Sequence, residues 1–304
     1  MSLTLFGSNC PAGAYFLKLT KDSPPETWGR TAPNNNINSH IYCNLADKYT
    51  EDLNPINGIL VSFAPIWLLV PFLTSAAKYK PQILRNLTGV IACSSSSFMT
   101  KRFAYNNYDR QLSKRLMDSH EVLEAMCKRL DIPCQVLAPT LIYGAIGIYK
   151  DRNLTRVLDV MRHLPVICLP KNTGLRQPIH ASQLAMIAKH QADKMLANKW
   201  GANEPIVLTV GGDETLDYRS MLIRIRDSLG TGYPGKKCKI ITISERIYFI
   251  LIAFLLPINP KLFEAFLRIQ CDLAGFSKTC DVVGGPSRSF PVENAVEGFS
   301  KCRR

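Results

Sequence analysis

Paired-cysteine motifs are missing from this chain. Its 304 residues include ten cysteines, yet none forms C-x-x-C and none has a histidine at zinc spacing. A zinc ribbon and a thioredoxin-type redox site are therefore excluded, and no metal site is expected. Cys93, Cys134 and Cys168 lie in apolar, strand-like runs, where cysteine acts as a small core residue. The thiols are expected to be reduced, as in a cytoplasmic protein. Acidic residues are also scarce: 24 Asp and Glu face 37 Lys and Arg, a formal net charge of +13. That surplus favours anionic partners. The basic residues lack concentration, however, apart from Lys301-Cys302-Arg303-Arg304. Nucleic acid is not expected as a partner, and a basic solvated surface is the plainer reading. With a strand read from residue 2 or 3, no signal peptide is expected.

Hydrophobic residues make up 46% of the chain, enough for a sizeable core. The length suits one two-lobed domain or two small ones. Ile247 to Leu256 (IYFILIAFLL) is a run of ten uncharged residues stopped by Pro257. A bilayer crossing takes about 20, so no transmembrane segment is expected here. The run is expected to be a buried helix, with peripheral membrane contact left open.

Ser2-Leu3-Thr4-Leu5-Phe6 reads as a short buried strand. Gly7-Ser8-Asn9-Cys10-Pro11-Ala12-Gly13 follows, then the apolar stretch Ala14 to Leu19. Strand, glycine turn and helix open a dinucleotide-binding βαβ unit. A G-x-x-G-x-x-G spacing would put its middle glycine at position 10, where Cys10 stands. That glycine lets the backbone approach a pyrophosphate, and Pro11 removes a further N–H donor.

Strand-like segments recur at 26–30, 40–43, 58–63, 89–93 and 134–137, with helices expected at 66–78 and about 109–130. Residues 31–38 (TAPNNNIN) are turn chemistry. Leu112, Leu116, Leu123, Met126 and Leu130 fall near one face of the second helix. This alternation predicts an α/β fold: a Rossmann-like, doubly wound parallel sheet with helices on both sides. Ligands of such sheets sit at the carboxyl ends of the strands, where Gly7, Arg30, Asn44, Ala64, Ser95 and Pro139 fall. Farther on, helices are expected at 154–162, 183–197 and 216–229, a strand at 206–210, and mostly helix after 239. Residues 1–180 are expected to form the nucleotide-binding core. Residues 181–304 would complete it and form most of a smaller, mostly helical substrate lobe, built from parts of 145–180 and 210–304.

The chain resembles the extended short-chain dehydrogenases, in particular the nucleoside-diphosphate-sugar epimerase/dehydratase group. The resemblance covers nearly the whole chain. It rests on the glycine turn, on Ser94-Ser95-Ser96-Ser97 after the fifth strand, and on Ala138-Pro139-Thr140-Leu141-Ile142-Tyr143-Gly144, which looks like R-P-x-x-x-Y-G. It rests further on Gly174-Leu175-Arg176-Gln177-Pro178-Ile179-His180, similar to an R-x-x-x-H segment, and on Pro286-Ser287-Arg288-Ser289-Phe290, similar to P-R-x-F.

The resemblance implies an NAD or NADP cofactor bound by Gly7, Asn9, Cys10, Gly13, Arg30, Asn44, Leu45 and Ala64. Arg30 matches the arginine that meets a 2′-phosphate, which favours NADP. It implies a nucleotide-linked sugar as partner, with Arg176 and Arg288 on its phosphates. It also implies a homodimer through the helices at 66–78 and 109–130. Ser95 matches the catalytic serine; a strand-end serine capping its own loop is the equal alternative. The family's tyrosine and lysine, one helical turn apart, fall on Ser113 and Met117 when Glu121 anchors the helix. Both catalytic types are missing. Tyr105 and Tyr108 stand nearby as substitutes, although ordinary surface tyrosines are the plainer reading. Asn44, Ala138 and Ser182-Gln183 are further departures.

Two functions follow from the resemblance. One is an atypical NAD(P)-dependent sugar-nucleotide epimerase, dehydratase or reductase, with surface-polysaccharide synthesis as a setting. The other is a non-catalytic nucleotide-binding protein with a structural or sensing role.

Overall fold

The computed structural model describes residues 2–33, 39–47, 53–201 and 203–292. Most of the 31–38 turn and the basic cluster at 301–304 lie outside the described residues. The chain divides into two compact units. The first comprises residues 1–98, 114–139 and 181–210; the second comprises 99–113, 140–180 and 211–304. Neither is continuous in sequence. Residue 180 closes a second-unit segment, and residue 181 opens the last segment of the first.

The first unit carries β1 (Leu3–Phe6), α1 (Pro11–Leu19), β2 (Glu26–Gly29), β3 (His40–Tyr42), β4 (Gly58–Ser62), α2 (Ile66–Tyr79) and β5 (Leu87–Cys93). It continues with most of α3 (Asn107–Arg129), then β6 (Cys134–Pro139), α4 (Ala181–Leu196) and β7 (Val207–Gly211). The strands lie in the order β7-β6-β5-β4-β1-β2-β3, and every neighbouring pair is parallel. The chain winds outward from β1 to β3, then returns to lay β4 on the other side of β1. This reversal between β1 and β4 is the switch point at which doubly wound sheets hold ligands.

The strands are near-continuous apolar runs because both sheet faces are covered. Leu5, Phe6, Leu60, Val61, Val90 and Ile91 are fully buried. On one face α1 packs against α4. Ala181, Ala185, Ala188 and Ala192 form a buried stripe along α4. Their i, i+4, i+7 spacing is that of one helical face, and their small side chains permit a close approach. Trp28 and Phe72 flank Phe6, with ring centroids 5.4 and 5.8 Å away.

The second unit has its own core, in which Leu154, Leu158, Met161, Leu169, Met221, Leu222 and Ile225 are buried together. Helices at Arg152–His163 and Tyr218–Asp227 supply all of these but Leu169. The second begins at 218 because Asp217 caps it, its carboxylate accepting the Ser220 N–H at 3.0 Å. The described elements after 239 are mostly helical, as expected; the main exception is Lys239–Ile243, a strand parallel to Val166–Pro170. Its β-branched run Ile240-Ile241-Thr242-Ile243 suits a strand. The run 247–256 does form a helix over Glu245–Ala253, but it is not buried. Only Tyr248 and Ile252, one turn apart, face inward. Cys168 is also exposed, against its expected place in the core. The nine described cysteines are unbridged.

Candidate functional site

The switch point is built by close backbone contacts. Gly7 ends β1 with φ +76°, and a Cβ there would fall 2.6 Å from the Ala64 nitrogen beyond β4. Only glycine fits such a position without strain. Gly13 sits in the first turns of α1, where a Cβ would lie 2.2 Å from the Gly7 carbonyl oxygen. Gly7, Gly13 and Ala64 are thus locked together, and they bring the α1 N-terminus to the carboxyl end of β1. A helix N-terminus placed there presents unsatisfied N–H groups to an anion.

Cys10 alters what those groups can do. It is the N-cap of α1, and its Sγ accepts the Gly13 N–H at 3.4 Å. The thiol lies 3.2 Å from the Gly7 carbonyl oxygen, to which it donates. Burial pushes the thiol up, outweighing the facing N–H groups of Gly13 and Ala12. The sulfur therefore stays protonated at neutral pH and adds no negative charge. It nevertheless occupies donors that a phosphate would use, and Pro11 offers none. The turn has the steric frame that a dinucleotide needs, while the donors it could offer a pyrophosphate would be fewer.

The other cofactor candidates surround this turn. Asn9 is exposed, and its Nδ2 donates to the Thr31 carbonyl at 2.7 Å, tying the turn to the chain beyond β2. Arg30 is exposed at the end of β2. Asn44 folds back on its own loop: Oδ1 accepts the Ala46 N–H, and Nδ2 donates to Asp47 at 2.9 Å. Leu45 and Ala64 are half-buried. A cavity of about 850 Å³ in this unit lies at the amino ends of the strands, lined by Ser2, Gly58, Pro133 and Trp200. It is at the opposite edge of the sheet from the glycine turn.

Beyond β5, Ser95 bonds only locally among the described residues. Its Oγ donates to Ser97 Oγ at 3.0 Å and accepts the Ser97 N–H at 3.2 Å, a serine closing its own turn. Ser94 reaches farther, its Oγ 2.6 Å from His120 Nε2 on α3. His120 is buried, with the Phe98 ring edge-on at 5.0 Å. Burial lowers its pKa to about 4, so the ring is neutral and Nε2 can accept the serine proton. His120 went unnoticed in the sequence. Its signal is helical spacing: Ser113, Leu116, His120 and Leu123 are all buried on one face.

Ser113 itself is 1% exposed, and Met117 is half-buried one turn on. Tyr105 and Tyr108 both face solvent in the second unit. Lys261 Nζ lies 3.6 Å above the Tyr108 ring.

In the second unit three of the sequence motifs converge. The Tyr143 ring meets His180 at 5.1 Å and Phe290 at 5.0 Å, and its hydroxyl accepts the Val292 N–H. Buried Asp151 accepts the Gly144 N–H at 2.9 Å and caps the following helix. Burial, then the charge of Arg288, lowers His180 to about 4. Arg176 is buried, and its guanidinium donates to the carbonyls of Leu175, Cys271 and Arg268 at 2.6–2.7 Å. Its charge also stacks 5.1 Å from the Tyr218 ring. Arg176 and Tyr218 line a mostly apolar cavity of about 310 Å³, with Arg156, Val160, Cys168 and Leu262. Arg288 is exposed, held through its backbone N–H by Asp213 at 2.9 Å.

A parallel doubly wound sheet with a glycine turn at its switch point gives this chain the α/β, Rossmann-like fold of the nucleotide-sugar epimerases and their short-chain dehydrogenase relatives. Among solved structures it is similar to MoeE5 in complex with UDP-glucose and NAD (TM-score 0.63, 13% identity, 99% of each chain). It is also similar to a UDP-N-acetylglucosamine 4-epimerase from Methanobrevibacter ruminantium M1 in complex with UDP-N-acetylmuramic acid (TM-score 0.62, 13% identity, 98% of each chain). A third neighbour is Gre2 from Candida albicans in complex with NADPH (TM-score 0.61, 10% identity, 98% of this chain and 97% of that one). At these identities the likeness is one of fold. No protein-family model matches the chain, and no curated protein matches it in sequence.

Proposed function

We propose that this chain is a nicotinamide-dinucleotide-binding protein of the sugar-nucleotide epimerase type that does not use a tyrosine–lysine dyad, and that its role is structural or sensing. One observation carries the reading. The helix positions that the resemblance assigns to the dyad hold Ser113, sealed at 1% exposure, and Met117. Neither can exchange a proton at neutral pH in the way a tyrosine beside a lysine ammonium does. The exposure of Tyr105 and Tyr108 gives no support to either as a substitute.

When bound, the dinucleotide would supply hydride chemistry. This chain's residues would supply the cradle: Gly7 and Gly13 shape the turn, Ala64 closes the β4 side, and Arg30 faces the ribose end. NADP is the favoured form, because the Arg30 guanidinium suits a 2′-phosphate. A nucleotide-linked sugar is the second ligand, with exposed Arg288 available to its phosphates. Arg176 instead reads as a pin, since its donors hold the carbonyls of residues 268–271.

A second reading rests on Ser94 and His120. A neutral histidine 2.6 Å from a serine hydroxyl beyond β5 can move a proton, and it would make the protein an atypical enzyme. Mass spectrometry of nucleotide released from purified protein, followed by turnover assays on UDP-sugars, separates the readings. Retained or added dinucleotide with no turnover supports the binding role. Turnover abolished by His120→Gln supports the enzyme. Neither dinucleotide binding nor turnover refutes both.

A further inference from the structure

The run 247–256 is exposed where the sequence predicts burial, and its surroundings point to an occupant. Residues 247–260 carry no charged side chain and lie between Arg246 and Lys261. They form the end of one helix, Glu245–Ala253, a turn, and the start of a second, Pro260–Leu267. The largest side chains of the turn point outward: Phe254 is 71% exposed and Ile258 79%. Ile247, Ile250 and Leu251 extend the same apolar surface along the first helix. Contiguous exposed apolar surface of this kind marks an interaction site.

The backbone N–H donors of the tip are already paired. Leu255, Leu256, Ile258 and Asn259 donate to the carbonyls of Ile252, Ala253 and Leu255. Residues 257 and 260 are prolines with no N–H to satisfy. Ser244 and Asn259 cap the two helices through their side chains. A segment leaving water for an apolar phase needs its polar backbone paired internally. Surface loops that stay in water are under no such requirement.

Aromatic and basic residues stand beside the tip. Asn106 donates through its backbone N–H and its Nδ2 to the Glu264 carboxylate, both at 2.6 Å. Arg268 pairs with buried Asp109 at 3.0 Å. These bonds fasten segment 99–113 to the second helix. Its outward residues are Phe103 (88% exposed), Tyr105 and Tyr108, with Arg102 5.4 Å from the Phe103 ring and Lys261 over Tyr108. The neighbouring acids are engaged: Glu264 and Asp109 as above, Asp109 also with Lys101, and Glu245 with Asn172. Arg102, Arg110, Arg246 and Lys261 therefore leave the rim net positive. An apolar tip with tyrosines and cations at its base matches the layering of a bilayer interface. A second copy of this chain would bring like charge against like.

We infer that the 247–260 tip, with its rim of Phe103, Tyr105, Tyr108 and basic side chains, docks the protein peripherally on an anionic lipid bilayer. The inference is independent of cofactor and catalysis. Flotation of the full chain is tested on vesicles of phosphatidylcholine alone and of phosphatidylcholine with phosphatidylserine at about 3:1. Binding is expected on the mixed vesicles, weakening as salt rises. Phe254→Ser with Ile258→Ser should lose it at least tenfold with an unchanged melting temperature, since both side chains are exposed. Arg246→Gln with Lys261→Gln should weaken binding to mixed vesicles by about tenfold or more, and leave binding to neutral ones nearly unchanged. Failure to float at low salt, or a Phe254/Ile258 variant that floats like the parent, overturns the inference. So does a parent dimer in sedimentation velocity that this variant turns into monomer without any vesicle binding, because the tip then meets a second copy.

Discussion

Replacing Cys10 with glycine should improve dinucleotide binding while slightly weakening the fold. The sulfur holds the Gly13 N–H at 3.4 Å and is faced by that of Ala12. A thiol is a weak acceptor, so little helix stability is lost with it. A phosphate oxygen is a strong, charged acceptor, and a hydrogen bond to it is worth about 1.5–3 kcal/mol. Freeing one such donor, less imperfect geometry, should tighten binding by about 1–2 kcal/mol, roughly five- to thirtyfold in Kd. Pro11 still withholds its own donor, so the gain stops there. Against it stand the lost cap, a few tenths of a kcal/mol, and the backbone entropy of a new glycine, about 0.5–1 kcal/mol. The unliganded melting temperature should fall by about 2–4 °C. Cys10→Ser is the control, because its hydroxyl keeps capping Gly13 and should leave binding unchanged or weaker. NADPH titration followed by nicotinamide fluorescence reads the affinity, and thermal denaturation reads the fold. Unchanged affinity in Cys10→Gly, or equal tightening in Cys10→Ser, would refute the claim that the thiol competes with the pyrophosphate.

Arg30 lies exposed beyond β2, so NADPH should bind more tightly than NADH, and Arg30→Ala should erase the difference; equal affinities in the parent protein count against the assignment. His120 and His180 both titrate near 4 in the folded chain, below the ordinary value of 6.5. Between those limits the unfolded chain binds more protons, so stability is full above about pH 6.5 and falls as pH drops toward 4, by about 3 kcal/mol for each histidine. Melting temperatures from pH 7.5 to 4.5 should decline less steeply in His120→Gln with His180→Gln than in the parent, and parallel slopes would show that other groups govern the acid loss.

The sheet was legible because its strands are short apolar runs between turn residues. Leu3–Phe6 and Gly58–Ser62 read as strands before any pairing is known, and the glycine after the first of them marks the switch point. The second unit was harder. Lys239–Ile243 finds its strand partner at 166–170, some seventy residues earlier, and no local pattern announces that pairing. The exposure of 247–256 was illegible for another reason. A run apolar on every face carries no period, so its pattern does not show which face, if any, is buried. His120 was missed because a lone histidine gains meaning only through its partner, and Ser94 precedes it by 26 residues. The division into units was also hidden, since the chain passes between them within α3 and again at 180–181.

These differences share a cause that bears on function. Gly7 and Gly13 are required by contacts within the fold, a Cβ at either striking Ala64 or Gly7 backbone. They would be needed whether or not a nucleotide is bound. Glycines of this turn therefore testify to architecture, while the polar groups around them testify to ligands. Here the two diverge. Under the proposed function, the steric frame for a dinucleotide is present, yet its donors would be reduced by Cys10 and Pro11, and Asn44 is turned onto its own loop. The dyad positions show the same divergence. Ser113 is sealed, so a tyrosine ring there would overpack its surroundings at a cost of about 1–3 kcal/mol. Under the proposed alignment, the buried surroundings of Ser113 leave little room for a tyrosine where the family's proton donor would stand. A site awaiting only one side chain would have kept that room, and its loss is why the binding role is favoured over an enzyme that lacks a single residue.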